Sequence, residues 1–375
     1  MNVGGKPYQS IWPDPLDPEL IKFVNQHLLP FEFRIDDLRT SGDALMAIRD
    51  MKVRGAPLIG VAGAFGVYLA CLEAGSSGKG DDYLLTRAGQ LRSSRPTAVN
   101  LAWAIDRVME GIKDTTDMET KAQIARSIAI AIMEEEKKSS LNIGQHGLEL
   151  IRETVRRKAE ISTGNSGNET VNILTHCNAG WLACIDYGTA LAPIYLAHDE
   201  GIPVHVWVDE TRPRNQGARL TAWELGQNGI PHTVVVDNAG GHLMQQKMVD
   251  MVIVGSDRTT RNGDVANKIG TYLKALAAYD NKIPFYVALP SSSIDFSLHS
   301  GLDEIEIEER DPSEVSQIEG ESDKGIIIVN ILPPESPVSN YGFDITPARL
   351  VAGLITERGI CAANEKDILK LFPQS

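Results

Sequence analysis

The sequence has 375 residues and is 42% hydrophobic, which is enough apolar material for one large or two medium cores and too much for a disordered chain. Its 36 basic and 50 acidic residues give a net charge of −14, so neither nucleic acid nor an anionic membrane is an expected partner. The four cysteines are scattered and have no zinc-site spacing, so we expect neither a disulfide framework nor a bound metal.

Residues 1–160 predict a smaller, mainly helical N-terminal domain with a small β element. The segments YQSIW and FEFRI are short enough to be strands of an antiparallel element. From Ser41 to Lys158 the apolar residues recur mostly at helical spacing, and the segment GSSGKGDD, Gly75–Asp82, predicts a loop. The apolar run Ala56–Leu72 is rich in Gly and Ala and indicates a buried helix rather than a membrane span. The amino terminus has no secretory-signal pattern, so we expect a cytoplasmic protein.

Residues 161–375 predict a Rossmann-like α/β domain. The polar run Ser162–Thr170 is typical of a linker or an exposed loop. After it, six β-branched runs alternate with amphipathic segments: VNILTH, VHVWV, HTVVV, MVIVG, PFYVAL and GIIIV. Parallel strands need crossover connections, so this alternation predicts a parallel sheet covered on both faces. Pro193, in the first crossover, indicates either a kinked helix or a late helix start. No dinucleotide-binding glycine motif and no P-loop is present.

Polar side chains follow the ends of these strands, where ligands of parallel sheets bind. They are Cys177; Asp209, Glu210 and Arg212; Asp237 and Asn238; Ser256, Asp257 and Arg258; and Ser291 to Ser293. For any one of them a surface turn or a helix cap is the commoner explanation. Cys177 is a stronger candidate, because a thiol between a strand end and a turn that opens a helix meets peptide dipoles that favour a thiolate. Cys184 is expected to be a small buried thiol without a function.

Asp257 ends the apolar run DMVIVGSD. Partial desolvation at that position would raise the pKa of the carboxyl and suit it to act as an acid near neutrality. A helix cap, or an ion pair with Arg258 or Arg261, would lower the pKa instead. The sequence leaves the sign of this shift open.

Three basic residues indicate that a phosphate binds in the same cleft. Arg54 precedes a Gly-Ala-Pro turn that opens a helix, and Arg95 directly precedes Pro96, which is expected to be the first residue of another helix. Free backbone N–H groups beside an arginine bind phosphate well. A further helix is predicted to start near Asp264, with Asn267 and Lys268 in its first turns. A lysine near a helix N-terminus is unfavourable because of the helix dipole, and a bound anion would offset this cost. A solvated lysine is the alternative for Lys268.

Seven blocks occur in order across nearly the whole chain. They are MKVRGAPLIG, SRPTAVNLAWA, ILTHCNAG, VDETRPRNQGARLTAWEL, VGSDRTTRNGDVANKIGTYLKA, PFYVALPSSSID and NYGFDITPARLVAGLITERG. Together they resemble the methylthioribose-1-phosphate isomerases, whose superfamily includes ribose-1,5-bisphosphate isomerase and the regulatory subunits of translation initiation factor 2B. The resemblance implies a homodimeric aldose-ketose isomerase of methionine salvage, within methionine and amino-acid biosynthesis, that acts on a small phosphorylated sugar without a cofactor.

The resemblance also implies roles for residues at matching positions. The catalytic pair falls on Cys177 and on Asp257 as proton donor. Substrate contacts fall on Arg54, Gly55, Ala56, Arg95, Gln216, Asn267 and Lys268. The resemblance implies that the regulatory subunits lack this catalytic pair, which favours an isomerase over a non-catalytic phosphosugar or nucleotide sensor, while a related substrate such as ribose 1,5-bisphosphate stays open. The transfer of hydrogen as a proton or as a hydride is also open. The segments 162–170 and 319–324 are longer than is usual in the family.

Overall fold

The structure is a computed structural model that describes residues 1–95, 98–161 and 169–373. The helices are α1 Ser41–Arg49, α2 Ala56–Ser77, α3 Asp81–Ser93, α4 Val99–Ile112, α5 Met118–Ile161, α6 Ala192–Asp199, α7 Ala222–Gln227, α8 Ala239–Gln245, α9 Thr271–Asp280, α10 Gly301–Glu304, α11 Ser313–Ser316 and α12 Glu365–Leu371. The strands are β1 Asn2–Val3, β2 Lys6–Pro7, β3 Ile11–Pro13, β4 Ile21–Val24, β5 Ile35–Leu38, β6 Val171–Thr175, β7 Val204–Asp209, β8 His232–Val235, β9 Met251–Val254, β10 Arg258–Thr260, β11 Val265–Lys268, β12 Phe285–Ala288, β13 Ile294–Asp295, β14 Gln317–Ser322, β15 Gly325–Asn330, β16 Phe343–Thr346, β17 Gly353–Thr356 and β18 Gly359–Cys361. Short 3₁₀ turns occupy Trp181–Ala183, Ser291–Ser293 and Ala348–Leu350, and a π-helical turn, Gly217–Thr221, leads directly into α7.

Helix α2 is the centre of the helical part and packs against α1, α3, α4 and α5. It is long and apolar enough to cross a membrane, but 83% of its most apolar window is buried inside the protein, as expected for a core helix. The loop predicted at Gly75–Asp82 is present but shorter than expected, because α2 continues to Ser77 and α3 starts at Asp81. Gly78, with a φ of 62°, ends α2 in the left-handed conformation that glycine adopts without strain.

The antiparallel element near the N-terminus is present, with the strand order β3-β4-β5. Its strands are offset from the segments that predicted them. YQSIW contributes only its last two residues, FEFRI contributes only Ile35, and the central strand β4 was not predicted.

A seven-stranded sheet with the order β18-β17-β12-β9-β6-β7-β8 forms the α/β part. Its six strands from β17 to β8 are parallel, and β18 is an antiparallel edge. Five of the six predicted runs lie in this sheet. The run GIIIV does not, because it forms β15, which pairs antiparallel with β14 in a separate, exposed ribbon. The sixth parallel strand is β17, whose short segment GLIT was not predicted.

Two apolar cores cover the faces of this sheet. One contains side chains of α5, α6 and α7, and the other contains side chains of α8, α9 and α12. The first turns of α5 belong instead to the core around α2, so this helix joins the helical part to the sheet. The predicted division at residues 160 and 161 stays a prediction, and it falls at the end of α5.

The three predicted helix starts have different outcomes. Helix α6 begins at Ala192 with Pro193 in its first turn, so the late start is the correct alternative and the turn after Cys177 does not open a long helix. The helix predicted near Asp264 is wrong: strand β11 occupies Val265–Lys268, pairs with β10 and β16, and only then does Gly270, with a φ of 103°, lead into α9. The start predicted at Pro96 lies outside the described residues, and α4 as described begins at Val99.

Candidate functional site

A cleft lies where the carboxyl ends of β6 and β9 face the start of α2. It has three adjacent chambers, which we name by their lining. The central chamber is lined by Cys177 and Asp257. The apolar chamber shares the lining residues Gly55, Ala56 and Asp257 with it. The basic chamber shares the lining residue Arg54 with it.

The residues singled out by the sequence converge on this cleft. The central chamber is lined by Arg54, Gly55, Ala56, Cys177, Asp257 and Asn267, the apolar chamber by Arg95, and the basic chamber by Gln216. Lys268 is buried behind the central chamber, where its charge interacts with Cys177 and Asp257. Among the other strand-end residues, Ser256 also lines the central chamber. Asp209 and Arg212 have different surroundings: Asp209 is fully buried, and Arg212 donates to the backbone carbonyls of Glu314 and Val315.

Cys177 lies just beyond β6 and is only 7% exposed. Its backbone has a φ of 65°, a left-handed conformation that is rare for a side chain of this kind. Two hydrogen bonds hold this conformation. The Cys177 amide donates to the Thr211 hydroxyl at 2.8 Å, and the Thr221 hydroxyl donates to the Cys177 carbonyl at 2.7 Å. The thiol position is therefore fixed by β6, the loop after β7 and the π-helical turn together.

Asp257 lies between β9 and β10, and its backbone amide donates to the Ala266 carbonyl at 3.0 Å. Burial raises the pKa of its carboxyl, and the positive charges of Lys268, Arg95 and Arg54 only partly oppose this shift. The neighbours that could have lowered the pKa face other acids. Arg258 lies 3.9 Å from Asp295, and Arg261 lies 2.7 Å from Glu365.

Arg54 and the first turn of α2 form one corner of the cleft. The Arg54 guanidinium donates one hydrogen bond to the Asn178 side-chain oxygen and one, at 2.8 Å, to the Asn178 backbone carbonyl. Gly55 has a φ of 96°, and a Cβ at this position would come within 2.3 Å of the Ala183 carbonyl oxygen. Among the described residues, the N-cap Gly55 provides no side-chain hydrogen bond to this end of the 22-residue helix, which begins at the cleft-lining Ala56.

The remaining predicted contacts are buried and polar. Burial lowers the pKa of Arg95, which has Glu308 at 3.9 Å, and burial also lowers the pKa of Lys268, against the pull of Cys177 and Asp257. The Lys268 ammonium donates to the Gly342 carbonyl at 2.9 Å and lies 4.7 Å from the centre of the Phe343 ring. Within the described part of the chain the Gln216 side-chain oxygen has no hydrogen-bond partner although it is buried.

Sequence reasoning missed two pairs of buried polar residues, in each of which one member lines the central chamber and the other lies behind it. Asn178 and Glu224 form one pair, with the Asn178 amide donating to the Glu224 carboxylate at 2.8 Å. His176 and Asp209 form another at 2.9 Å. Asn178 and His176 are the sequence neighbours of Cys177, and this adjacency could have identified them as members of the site. Asp209 was noted only as a strand end, and nothing in the segment LTAWEL distinguishes Glu224 from a surface acid.

One group of potential metal ligands exists among the described residues, formed by His176, Asp209 and Asp237. Both ring nitrogens of His176 already have partners, the Asp209 carboxylate at 2.9 Å and the Ile269 carbonyl at 2.8 Å. The Lys274 ammonium lies 3.1 Å from Asp209 and so supplies the positive charge that a metal would bring. These residues fit an ion-pair network better than a metal centre.

Comparison with known proteins identifies the class to which this fold and cleft belong. Residues 52–363 match the initiation factor 2 subunit family, and the chain belongs to that family. A solved structure of 5-methylthioribose 1-phosphate isomerase from Pyrococcus horikoshii OT3 is similar, with a TM-score of 0.82 and 35% identity over 99% of this chain and 97% of that one. Subunit delta of translation initiation factor eIF-2B from A. fulgidus has a TM-score of 0.78 and 35% identity over 98% of this chain and all of that one.

Relatives of higher identity narrow the class. A methylthioribose-1-phosphate isomerase from Desulfatibacillum aliphaticivorans is 56% identical over 373 residues, covering 100% of this chain and 99% of that protein. One from Acidiphilium cryptum is 54% identical over 374 residues, covering 100% of this chain and 98% of that protein. Within the family, this chain belongs to the methylthioribose-1-phosphate isomerases.

Proposed function

We propose that this protein is an aldose-ketose isomerase that converts 5-methylthioribose 1-phosphate into 5-methylthioribulose 1-phosphate, a step of methionine salvage. The observation that carries the proposal is the joint position of Cys177 and Asp257 in one buried chamber. Arg54 and the uncapped start of α2 lie at the edge of that chamber, which supports binding of an anionic substrate there. The names of the full-length relatives supply the substrate.

In the proposed mechanism Asp257 opens the sugar ring. The phosphate on the anomeric oxygen keeps the substrate cyclic, so the bond between C1 and the ring oxygen must break before hydrogen can move. Asp257 in its acid form donates a proton to the ring oxygen, which leaves with the bonding electron pair. The raised pKa of Asp257 supports this role, because more of the carboxyl then holds a proton near neutral pH.

Hydrogen then moves from C2 to C1, so that C1 is reduced and C2 is oxidised within one molecule. In the proton route the Cys177 thiolate removes the C2 proton to give an enediol-type intermediate, and C1 is protonated afterwards. In the hydride route hydrogen passes from C2 to C1 with its electron pair, and Cys177 shields the open-chain cation from water. In both routes the C2 hydroxyl finally loses a proton, which balances the proton given to the ring oxygen.

The apolar chamber supports the methylthio group as the substituent at C5. Its wall includes the side chains of Ile59, Ile305, Ile307 and Phe343. Such a wall suits a thioether methyl, because burial of apolar surface is favourable by about 25 cal/mol per Å². The chamber's cation, Arg95, already faces Glu308, and Glu306 adds a further acid to the wall. A second phosphate would be repelled by these acids.

We expect the purified protein, without an added partner, to turn over 5-methylthioribose 1-phosphate with a kcat/KM at least about 100-fold above that for ribose 1,5-bisphosphate. Ile307→Lys adds a cation to the apolar chamber and is expected to narrow this ratio. Leu302→Lys is the matched control, since Leu302 is 71% exposed and does not line the chamber. Faster turnover of the bisphosphate would reassign the substrate, and binding without turnover would indicate a sensor.

We also infer that the protein is a cytoplasmic homodimer. The aliphatic residues of β15, from Ile326 to Val329, are exposed along the ribbon, and rows of this kind commonly mark association surfaces. Burial of α2 inside the helical part supports a protein that is not anchored in a membrane. Light scattering is expected to report twice the chain mass of 40.9 kDa at micromolar concentration, and a mass of one chain would contradict the dimer.

A further inference from the structure

Glu224 lies on α7 and is fully buried beneath the turn that follows Cys177. Its carboxylate accepts four hydrogen bonds. One oxygen accepts from the Asn178 amide at 2.8 Å and from the Leu182 backbone amide at 3.1 Å. The other accepts from the Trp181 backbone amide at 3.0 Å and from the Tyr195 hydroxyl at 2.8 Å. Four donors on two oxygens are the arrangement that an ionised carboxylate satisfies.

Asn178 connects Glu224 to Arg54. Its side-chain nitrogen faces Glu224, and its side-chain oxygen accepts from the Arg54 guanidinium. This orientation follows from chemistry, because a guanidinium only donates and a carboxylate only accepts. Turning the amide over would put donor against donor and acceptor against acceptor. The Glu224 carboxylate accepts from the Asn178 nitrogen at 2.8 Å, and the Thr221 hydroxyl accepts from the same nitrogen at 3.2 Å. The carboxylate is the closer and the charged acceptor, so it contributes most to holding the Asn178 oxygen towards Arg54.

The same carboxylate also fixes the turn that carries the thiol. The backbone amides of Trp181 and Leu182 belong to the 3₁₀ turn that closes the loop after Cys177. Gly180 passes so close that a Cβ there would meet a carboxylate oxygen of Glu224 at 1.8 Å. Glu224 thus touches the loop at three successive residues without lining the cleft itself.

We propose, on the basis of the proposed isomerase function, that Glu224 is a positioning residue: its carboxylate orients Asn178, and through Asn178 it directs the Arg54 guanidinium towards the substrate phosphate. Arg54 has two hydrogen bonds to Asn178 and can keep the rest of its guanidinium for the ligand. Loss of the negative charge on Glu224 releases the Asn178 amide, so Arg54 loses its fixed direction. Phosphate binding then weakens although Arg54 is still present.

The charge on Glu224 is sensitive to pH in the neutral range. Burial raises the pKa of its carboxyl to about 7, against the hydrogen bonds from Asn178, Tyr195 and Leu182 and the charge of Arg54. The titratable groups that face it are Tyr195 on α6, Arg54 before α2 and the buried thiol of Cys184. As the pH falls through this value, one oxygen of the Glu224 carboxylate binds a proton. That oxygen then has an O–H group directed at a hydrogen-bond donor. The affinity for phosphate is therefore expected to fall with falling pH over this range.

The test measures binding of inorganic phosphate by calorimetry and of 5-methylthioribose 1-phosphate by its KM. Glu224→Gln is expected to weaken both by roughly 10-fold, with a smaller effect on kcat, because an amide places a donor against the existing donors. Tyr195→Phe is the matched control, since it removes a donor to the same carboxylate but leaves the link to Asn178 intact. We expect it to leave phosphate binding within about 2-fold of the parent.

A double-mutant cycle separates positioning from a merely structural role. Arg54→Ala is expected to weaken phosphate binding by itself, and in that background Glu224→Gln is expected to have no further effect, because both changes remove the same interaction. Additive losses, or unchanged phosphate binding in Glu224→Gln, would overturn the proposal. Asn178→Ala should reproduce the result if the Gln variant does not fold. Phosphate binding is measured without turnover, so a parent protein that binds phosphate but does not isomerise the sugar would contradict the proposed function alone.

The pH profile provides a second readout. Parent KM is expected to rise as the pH falls from 8 to 6, whereas the KM of Glu224→Gln should already be high at pH 8 and change less. The second ionisation of the substrate phosphate, with a pKa near 6, affects both proteins equally and cancels in their ratio. A KM ratio that is independent of pH would overturn the role assigned to the Glu224 charge.

Discussion

Cys177→Ser is expected to lower kcat by at least about 10³-fold while the protein stays folded. Serine keeps approximately the size of the side chain, but a hydroxyl is a much weaker acid and nucleophile than a thiol. The side chain at this position also lies within the electrostatic reach of the buried Lys268 ammonium. Turnover of 5-methylthioribose 1-phosphate by the purified variant measures the loss.

Cys361→Ser is the matched control for this substitution. Cys361 lies on the edge strand β18, is partly exposed and does not line the cleft. The circular dichroism of both variants and their affinity for inorganic phosphate should equal those of the parent. A Cys177→Ser variant that turns over at a near-normal rate would remove Cys177 from the mechanism.

Deuterated water then distinguishes the two possible tasks of Cys177. If the thiolate removes the C2 proton, that proton can exchange with solvent, and deuterium is expected at C1 of the product. If hydrogen passes directly from C2 to C1 as a hydride, C1 should contain no solvent deuterium. Deuterium at C1 would exclude strict hydride transfer and indicate the proton route, in which Cys177 is the base.

The two reactive residues could be found from the sequence because the rule for parallel sheets is local. A strand is visible as a β-branched run, and its carboxyl end is the next residue along the chain, so Cys177 and Asp257 could be placed on one edge before any contact was known. Arg54 was equally visible, because Gly55 and Pro57 mark the start of α2. Each of these signals spans only a few residues.

Lys268 shows where local reasoning failed. The segment from Asp264 was interpreted as a helix start, but Val265–Lys268 forms β11 because β10 and β16 pair with it on both sides. Strand β16 lies about 80 residues further along the chain, so no local pattern contains that information. The dipole argument for Lys268 was therefore wrong, although the residue does lie behind the cleft.

Partners that are distant in sequence also explain the other misses. Gln216 was identified only through the family resemblance, because its place in the basic chamber depends on the loop after β7 folding against Arg54. In the sequence, Glu224 has the pattern of an ordinary acid on a helix surface. Only the packing of α7 against residues 178 to 182 shows that it is buried and hydrogen-bonded. The run GIIIV is correctly a strand, but only its pairing with β14 decides that it lies outside the main sheet.

Asp257→Asn is expected to lower kcat by at least about 10³-fold, because an amide cannot give a proton to the ring oxygen. The parent should lose activity as the pH rises through the raised pKa of Asp257, since only the protonated carboxyl is the acid. The residual activity of the variant should lack this dependence. Measurement of kcat from pH 5 to 9 for both proteins checks the assignment, and a variant that keeps the alkaline fall of the parent would assign that titration to another group.

The stability of the same variant should change in the opposite direction to its activity. A carboxyl whose pKa is raised on folding contributes stability that is fully present below its unfolded pKa and is lost as the pH rises through its folded pKa. At pH 8 the parent therefore bears the cost of a buried carboxylate, whereas Asp257→Asn buries a neutral amide of nearly the same shape. We expect the Tm of the variant at pH 8 to equal or exceed that of the parent, with a smaller difference at pH 5. If the variant is inactive and also clearly less stable than the parent at pH 8, misfolding explains the loss of activity. The result would then contradict the role of Asp257 as the proton donor.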